Sequence, residues 1–152
     1  MQINTGISDQ KREAISLGLA TLLANTYTLY TMTQHCHWNV TGQEFFQHHI
    51  LFEKQYGEMA EAVDEIAERI RALGYYVDGT FSGFKKLSTI EQVDKVMSAK
   101  EMLAHLIQGH ENLIRHARKL AETADSDGDF ATVDMIGKRL GLSAGTSELS
   151  PA

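Results

Sequence analysis

A chain of 152 residues, 43% hydrophobic and 22% charged, has the balance of one globular domain rather than of a disordered or fibrous chain. No apolar run approaches the roughly 20 residues of a membrane span, and residues 1–8 have neither the basic nor the apolar region of a secretory signal, so a soluble, cytoplasmic protein is expected. The net charge of −6 argues against unassisted binding to DNA, and the single cysteine, Cys36, excludes an intrachain disulfide and fits a reducing compartment.

The only proline is Pro151, so nothing in the body of the chain imposes a proline break and long helices are favoured. From residue 8 to about 37, Ile15, Leu19, Leu22, Leu23, Leu29 and Tyr30 recur at helical spacing and predict a first helix. A second follows the 39–42 turn, with Phe52, Tyr56, Met59, Val63, Ile66, Ile70 and Leu73 in steps of four and three, and Gly74 ends it. A loop to about residue 97 is expected next, with one short helix around 89–97. Ser98 and Glu101 form a capping box for a third helix reaching about Ala124. The turn of Asp125, Asp127 and Asp129 caps a fourth helix through Phe130, Val133, Ile136 and Leu140, ended by Gly141, and the tail from about 142 is expected to be mobile. The fold class read from this order is all-α: a single ferritin-like four-helix bundle over residues 1–152, with a short helix in the long crossover loop.

The residue types that carry chemistry concentrate between residues 35 and 68. His49 and Glu53 are four apart on the second helix, as are Asp64 and Glu68, so each pair stands on one face. Both pairs lie off the apolar stripe and point away from the bundle core. Glu53 and Asp64 are nevertheless eleven residues apart, about 16 Å along a helix rising ~1.5 Å per residue, and cannot share a metal within one chain. An antiparallel copy related by a twofold axis brings Asp64 and Glu68 of one subunit opposite His49 and Glu53 of the other. His37, at the end of the first helix, folds back into the same neighbourhood. The expected shell is therefore His37, His49 and Glu53 from one subunit with Asp64 and Glu68 from the other, two such sites per dimer. Imidazole and carboxylate ligands without thiolate suit iron, with zinc a competitor. No histidine has glutamate three residues before it, which argues against a di-iron centre buried within one bundle.

His37-Trp38-Asn39-Val40, then His49, Phe52 and Glu53, then Asp64-Glu65-Ile66-Ala67-Glu68-Arg69 resemble the motifs of the Dps family, mini-ferritins of the ferritin-like superfamily, over residues 8 to about 140. The resemblance implies a dodecameric shell with ferroxidase sites at twofold interfaces, where ferrous iron is oxidised, usually by hydrogen peroxide and otherwise by dioxygen, and stored as ferric mineral. That activity protects against oxidative damage. His37, His49, Asp64 and Glu68 match the family's iron ligands and Trp38 an aromatic often beside them. Glu53 departs from the aspartate more common there, and the ending from Gly141 onward departs from a last helix that usually continues with charged and aromatic residues.

Rival readings accompany these expectations. Trp38 serves equally well as an interface anchor or as a radical sink. His48 and His110 read as satisfied core or interface histidines, and Cys36 as a buried structural thiol. The acidic turn at 125–129 is read first as a helix cap and second as an iron-uptake pore on a threefold axis. A DNA-binding nucleoid protein is the main functional alternative, opposed by the charge: the first twelve residues hold only Lys11 and Arg12 against Asp9, and no basic residue follows Arg139. A zinc-holding structural shell without redox activity is the other.

Overall fold

The computed structural model describes residues 4–147, with side chains through 141. Five helices follow one another: α1 (Asp9–Asn39), α2 (Phe45–Ala72), α3 (Phe81–Leu87), α4 (Ala99–Ser126) and α5 (Phe130–Ser147). Short connections make α1–α2 and α4–α5 hairpins, and the segment between α2 and α4 crosses over with α3 lying on α1, the ferritin-like arrangement. No helix among the described residues is long and apolar enough to cross a membrane.

The predicted stripes form the interior. One cluster gathers Ile15, Leu19, Leu22, Ile66, Ile70, Leu113, Leu120 and Ile136. A second gathers Leu29, Cys36, Val40, Phe52, Met59, Met97, Met102 and Leu106. Stripe-to-stripe burial from α1, α2, α4 and α5 is the dominant stabilising contribution, at roughly 25 cal/mol for each Å² of apolar surface removed from water.

Helix ends follow local chemistry. Gly74, at φ 96°, closes α2: its N–H donates to Arg71 O at 2.9 Å and Tyr75 N–H to Ile70 O at 3.3 Å, a pattern that requires a left-handed residue and therefore favours glycine. The same pattern at Gly128 carries α4 to Ser126, two residues past the expected end. Ser98 and Glu101 make the reciprocal capping box.

Two expectations fail. The short crossover helix lies at Phe81–Leu87, and residues 89–97 are not helical. Thr80 Oγ1 accepts from Gly83 N–H at 3.1 Å, and Phe84 stacks on Tyr27 of α1 with ring centroids 4.5 Å apart. The Thr89 N–H is instead captured by Asn25 Oδ1 at 2.7 Å, a side chain buried in α1, and Ile90, Val93 and Met97 of the following segment pack in the second cluster. The second failure is the end of α5, which passes through Gly141 to Ser147. Gly141 is not among the positive-φ glycines, and a glycine with ordinary helical dihedrals lowers helix stability without stopping the helix. The tail expected to be mobile from 142 is thus helical to 147, and its remainder lies outside the described residues.

Candidate metal centre

The turn over residues 40–44 returns α2 antiparallel along α1 and sets the last turn of α1 against the first turns of α2. His37 and His49 meet there, rings stacked with centroids 3.7 Å apart. His37 Nδ1 lies 2.8 Å from the His49 carbonyl oxygen, and His49 Nδ1 lies 3.0 Å from the His37 carbonyl oxygen. A carbonyl oxygen can only accept, so both Nδ1 atoms must carry the proton. A neutral imidazole with its proton on Nδ1 has a bare lone pair on Nε2, the form in which imidazole binds a metal ion. Phe45 stacks on His49 at 5.0 Å, and the Tyr56 ring meets His37 edge-on at 5.2 Å. His37 is buried and His49 half-buried.

Glu53 follows one turn after His49 and is exposed, as are Asp64 and Glu68 farther along α2. None of these three carboxylates has a hydrogen bond or ion pair among the described residues. Their neighbours on the same turns are engaged: Glu65 holds Lys138 at 3.0 Å and Arg139 at 2.7 Å, and Arg69 holds Asp129 at 2.6 Å. The hydrogen bond from Lys138, aided by Arg139, pulls the Glu65 carboxyl below its ordinary range despite some desolvation. Asp64 and Glu68 stay uncommitted beside them. Among the described residues no group of three or more His, Cys, Asp and Glu side chains is placed to hold a metal ion.

The other candidates divide. Cys36 is buried and its thiol pushed up to about 11 by desolvation, which makes it an inert packing residue. His35 is exposed and tied to Asn39. His48 and His110, read as satisfied core or interface histidines, keep ring nitrogens without a hydrogen-bond partner among the described residues, which corrects the satisfied-core half of that reading. His110 is buried, neither of its ring nitrogens has a hydrogen-bond partner among the described residues, and burial holds its pKa down at about 4. His48 leans on Phe52 and sits 3.8 Å from Glu44, while its Nδ1 is buried without a hydrogen-bond partner among the described residues. In the acidic turn, Asp129 is the buried cap of α5, accepting from Thr132 N–H at 3.1 Å. Burial opposes its charge, but hydrogen bonds from Thr132 and Arg69 outweigh that and lower its pKa. Asp127 pairs with Lys11 at 3.1 Å, and Asp125 is exposed with no side-chain partner among the described residues. The Arg69–Asp129 clamp and the Tyr56–His37 contact went unread in the sequence. The helical stripe placed Tyr56 only in the core.

Comparison with known proteins agrees with this architecture. Residues 17–141 match the Ferritin-like domain family. A DNA protection during starvation protein of Porphyromonas gingivalis is 32% identical over 145 residues, 95% of this chain and 89% of that protein. An uncharacterized low temperature-induced protein of Nostoc sp. is 39% identical over 137 residues, covering 89% and 76% of the two chains. Among solved structures, DpsC of Streptomyces coelicolor superposes with a TM-score of 0.94 at 25% identity, covering 100% of this chain and 92% of that one. The Dps protein of Vibrio cholerae O1, described as a member of a broad superfamily of ferritin-like diiron-carboxylate proteins, gives 0.92 at 27% identity over 98% and 94%. From its bundle, its motifs and these relatives, the chain belongs to the Dps family, the iron-storing mini-ferritins of the ferritin-like superfamily.

Proposed function

We propose that this protein oxidises Fe(II) at sites shared by two subunits and stores the ferric product inside a homo-oligomeric shell, a dodecamer as the family resemblance implies, in the cytoplasm. The observation that carries the reading is the contrast on α2: Glu53, Asp64 and Glu68 are exposed and unpaired, while His37 and His49 present Nε2 lone pairs through mutually fixed tautomers. Borderline nitrogen and hard oxygen ligands suit iron in both oxidation states, and the three carboxylates favour the ferric product by charge.

Iron is the substrate. Two Fe(II) ions each give one electron to hydrogen peroxide, the O–O bond breaks, and two hydroxide ions leave with two Fe(III). Dioxygen is the slower alternative oxidant. Within the chain, the two carbonyl-locked imidazoles fix where the metal sits, and Phe45 and Tyr56 hold the rings against rotation. The longer side chain of Glu53 serves as the adjustable ligand. A structural shell that holds zinc at the same ligands and performs no redox chemistry is the competing reading. The DNA reading finds little support in the fold, because Lys11 is paired with Asp127 and Arg12 with Asp9.

The test is Fe(II) oxidation by hydrogen peroxide under anaerobic mixing, comparing the metal-free protein with an Asp64→Ala, Glu68→Ala variant confirmed to assemble. Oxidation at least tenfold slower in the variant is expected, a loss of ~1.4 kcal/mol or more in barrier lowering. An unmodified protein no faster than the protein-free control would overturn the ferroxidase reading in favour of the zinc-holding shell.

A further inference from the structure

A continuous run of aromatic rings leaves the histidine pair. Tyr56 meets His37 with centroids 5.2 Å apart, Tyr30 meets Tyr56 at 6.1 Å, and Tyr27 meets Tyr30 at 5.7 Å. Tyr56 comes from α2 and the other two from α1, where Tyr27 and Tyr30 are one turn apart. Tyr27 ends the run: its further neighbours are Phe84, stacked at 4.5 Å, and Phe81 at 6.2 Å, and phenylalanine is far harder to oxidise than tyrosine. Tyr27 lines an open groove with Phe81 and Phe84. Trp38, the aromatic the sequence offers as a radical sink, is 68% exposed and its ring touches no other aromatic ring among the described residues.

From this geometry we propose that Tyr56, Tyr30 and Tyr27 form a hole-transfer relay that carries oxidising equivalents from the iron site to the groove at Tyr27. The inference rests on the ferroxidase reading above. Its chemical need is stoichiometric: hydrogen peroxide takes two electrons and one Fe(II) supplies one. When iron is scarce the second electron must come from another donor, or a hydroxyl radical is released. With tyrosine as donor, Fe(II), hydrogen peroxide and one phenol give Fe(III), hydroxide, water and one neutral tyrosyl radical. The O–O bond breaks, and the phenolic proton leaves with the electron and ends on the product water.

Tunnelling rates fall exponentially with the gap between rings, and rings in or near contact keep each step short. Relocating the hole also requires somewhere for a phenolic proton to go. Tyr30 has a partner for this, since the Gln34 amide lies 3.0 Å from its hydroxyl and can offer its oxygen after a flip. Half-burial of all three tyrosines screens the radical from bulk water until it reaches the groove, where a small-molecule reductant can quench it. Packing alone accounts for three aromatic rings on a helix hairpin, and half-buried tyrosines can keep their hydroxyls in water, so the tests below remove the hydroxyls while keeping the rings.

The experiment is freeze-quench electron paramagnetic resonance on the assembled protein with iron well below saturation and hydrogen peroxide in excess, comparing Tyr56→Phe, Tyr30→Phe and Tyr27→Phe. The unmodified protein is expected to give a tyrosyl signal, and Tyr56→Phe to reduce it at least fivefold. Tyr30→Phe and Tyr27→Phe should retain a signal of altered hyperfine pattern, because the hole then rests on a ring of different orientation. Tyr76→Phe, beyond the far end of α2, is the control and should leave the signal unchanged. The rate of Fe(II) loss with iron in excess is read from the same preparations. Fast oxidation without a tyrosyl signal, or a signal indifferent to Tyr56→Phe and Tyr27→Phe, overturns the relay alone. Oxidation no faster than the protein-free control overturns the ferroxidase reading and the relay with it.

Discussion

Two faces of one stretch of α2 carry the same kinds of residue and use them in opposite ways. On one, Glu65 and Arg69 are engaged inside the chain, Glu65 with Lys138 and Arg139 and Arg69 with Asp129 and Thr132. On the other, Asp64 and Glu68 are exposed and engaged with nothing in the described chain. The first face ties α2 to α5 and sets the rotation of α2 about its own axis. Because that rotation is set, the second face must look outward. A carboxylate whose partner is supplied by its own fold serves stability, whereas one left open beside it is available to a cation or a second subunit.

The largest effect should come from breaking the engaged face at its most buried point. Asp129→Ala removes the cap of α5 and leaves the Arg69 guanidinium without its counter-charge, at a cost of about 3 kcal/mol in chemical denaturation. Glu68→Ala, one residue from Arg69, should change stability by no more than about 0.5 kcal/mol while slowing iron oxidation. Comparable losses from both would erase the distinction.

Acid sharpens the comparison from the interior. His110 is held neutral by burial, with a folded pKa of about 4 against an ordinary 6.5. Below pH 6.5 the unfolded chain takes up a proton that the folded chain refuses, so stability falls progressively between pH 6.5 and 4. The loss from pH 7 to 5 should be about 2 kcal/mol, and His110→Leu should remove most of it when denaturation midpoints at the two pH values are compared. Asp129 does not contribute in that window. Its folded pKa is lowered, so its stabilisation is fully present above its unfolded value near ~3.9 and is lost only as pH falls through the folded one.

Smaller effects follow. Gly74→Ala forces a side chain into φ 96° and should cost about 1 kcal/mol, visible as a lower thermal midpoint with iron oxidation retained. Lys138→Ala should cost at most about 0.5 kcal/mol, because the pair is largely exposed and Arg139 still holds Glu65 at 2.7 Å. A loss above 1 kcal/mol there would show that the two cations act as one network.

Much of this was legible one residue at a time. The periodic stripe of α2, the Ser98–Glu101 box and the stop at Gly74 depend on neighbours within a turn, so local reading found them. The crossover helix was misplaced because what decides it lies elsewhere: Phe84 finds Tyr27, and Asn25 takes the Thr89 N–H across 64 residues. Gly141 misled for the opposite reason, since a glycine can sit in a helix or end it and only its dihedral distinguishes the two. The nearness of His37 and His49 followed from a short turn between long helices. Their common tautomer did not, because it depends on each ring reaching the other residue's carbonyl.

The sequence by itself determined an all-α bundle, the faces its helices bury, and a set of histidines and carboxylates spaced too far apart to serve one metal within one chain. Helices and their stripes are set by interactions three and four residues apart, which a linear pattern records. Only the tertiary structure decided which charges are consumed inside the fold and which remain open, which imidazole nitrogen keeps its lone pair, and that three tyrosines stand in line behind the histidines. Those outcomes rest on contacts between residues brought together from different helices, to which no local spacing corresponds.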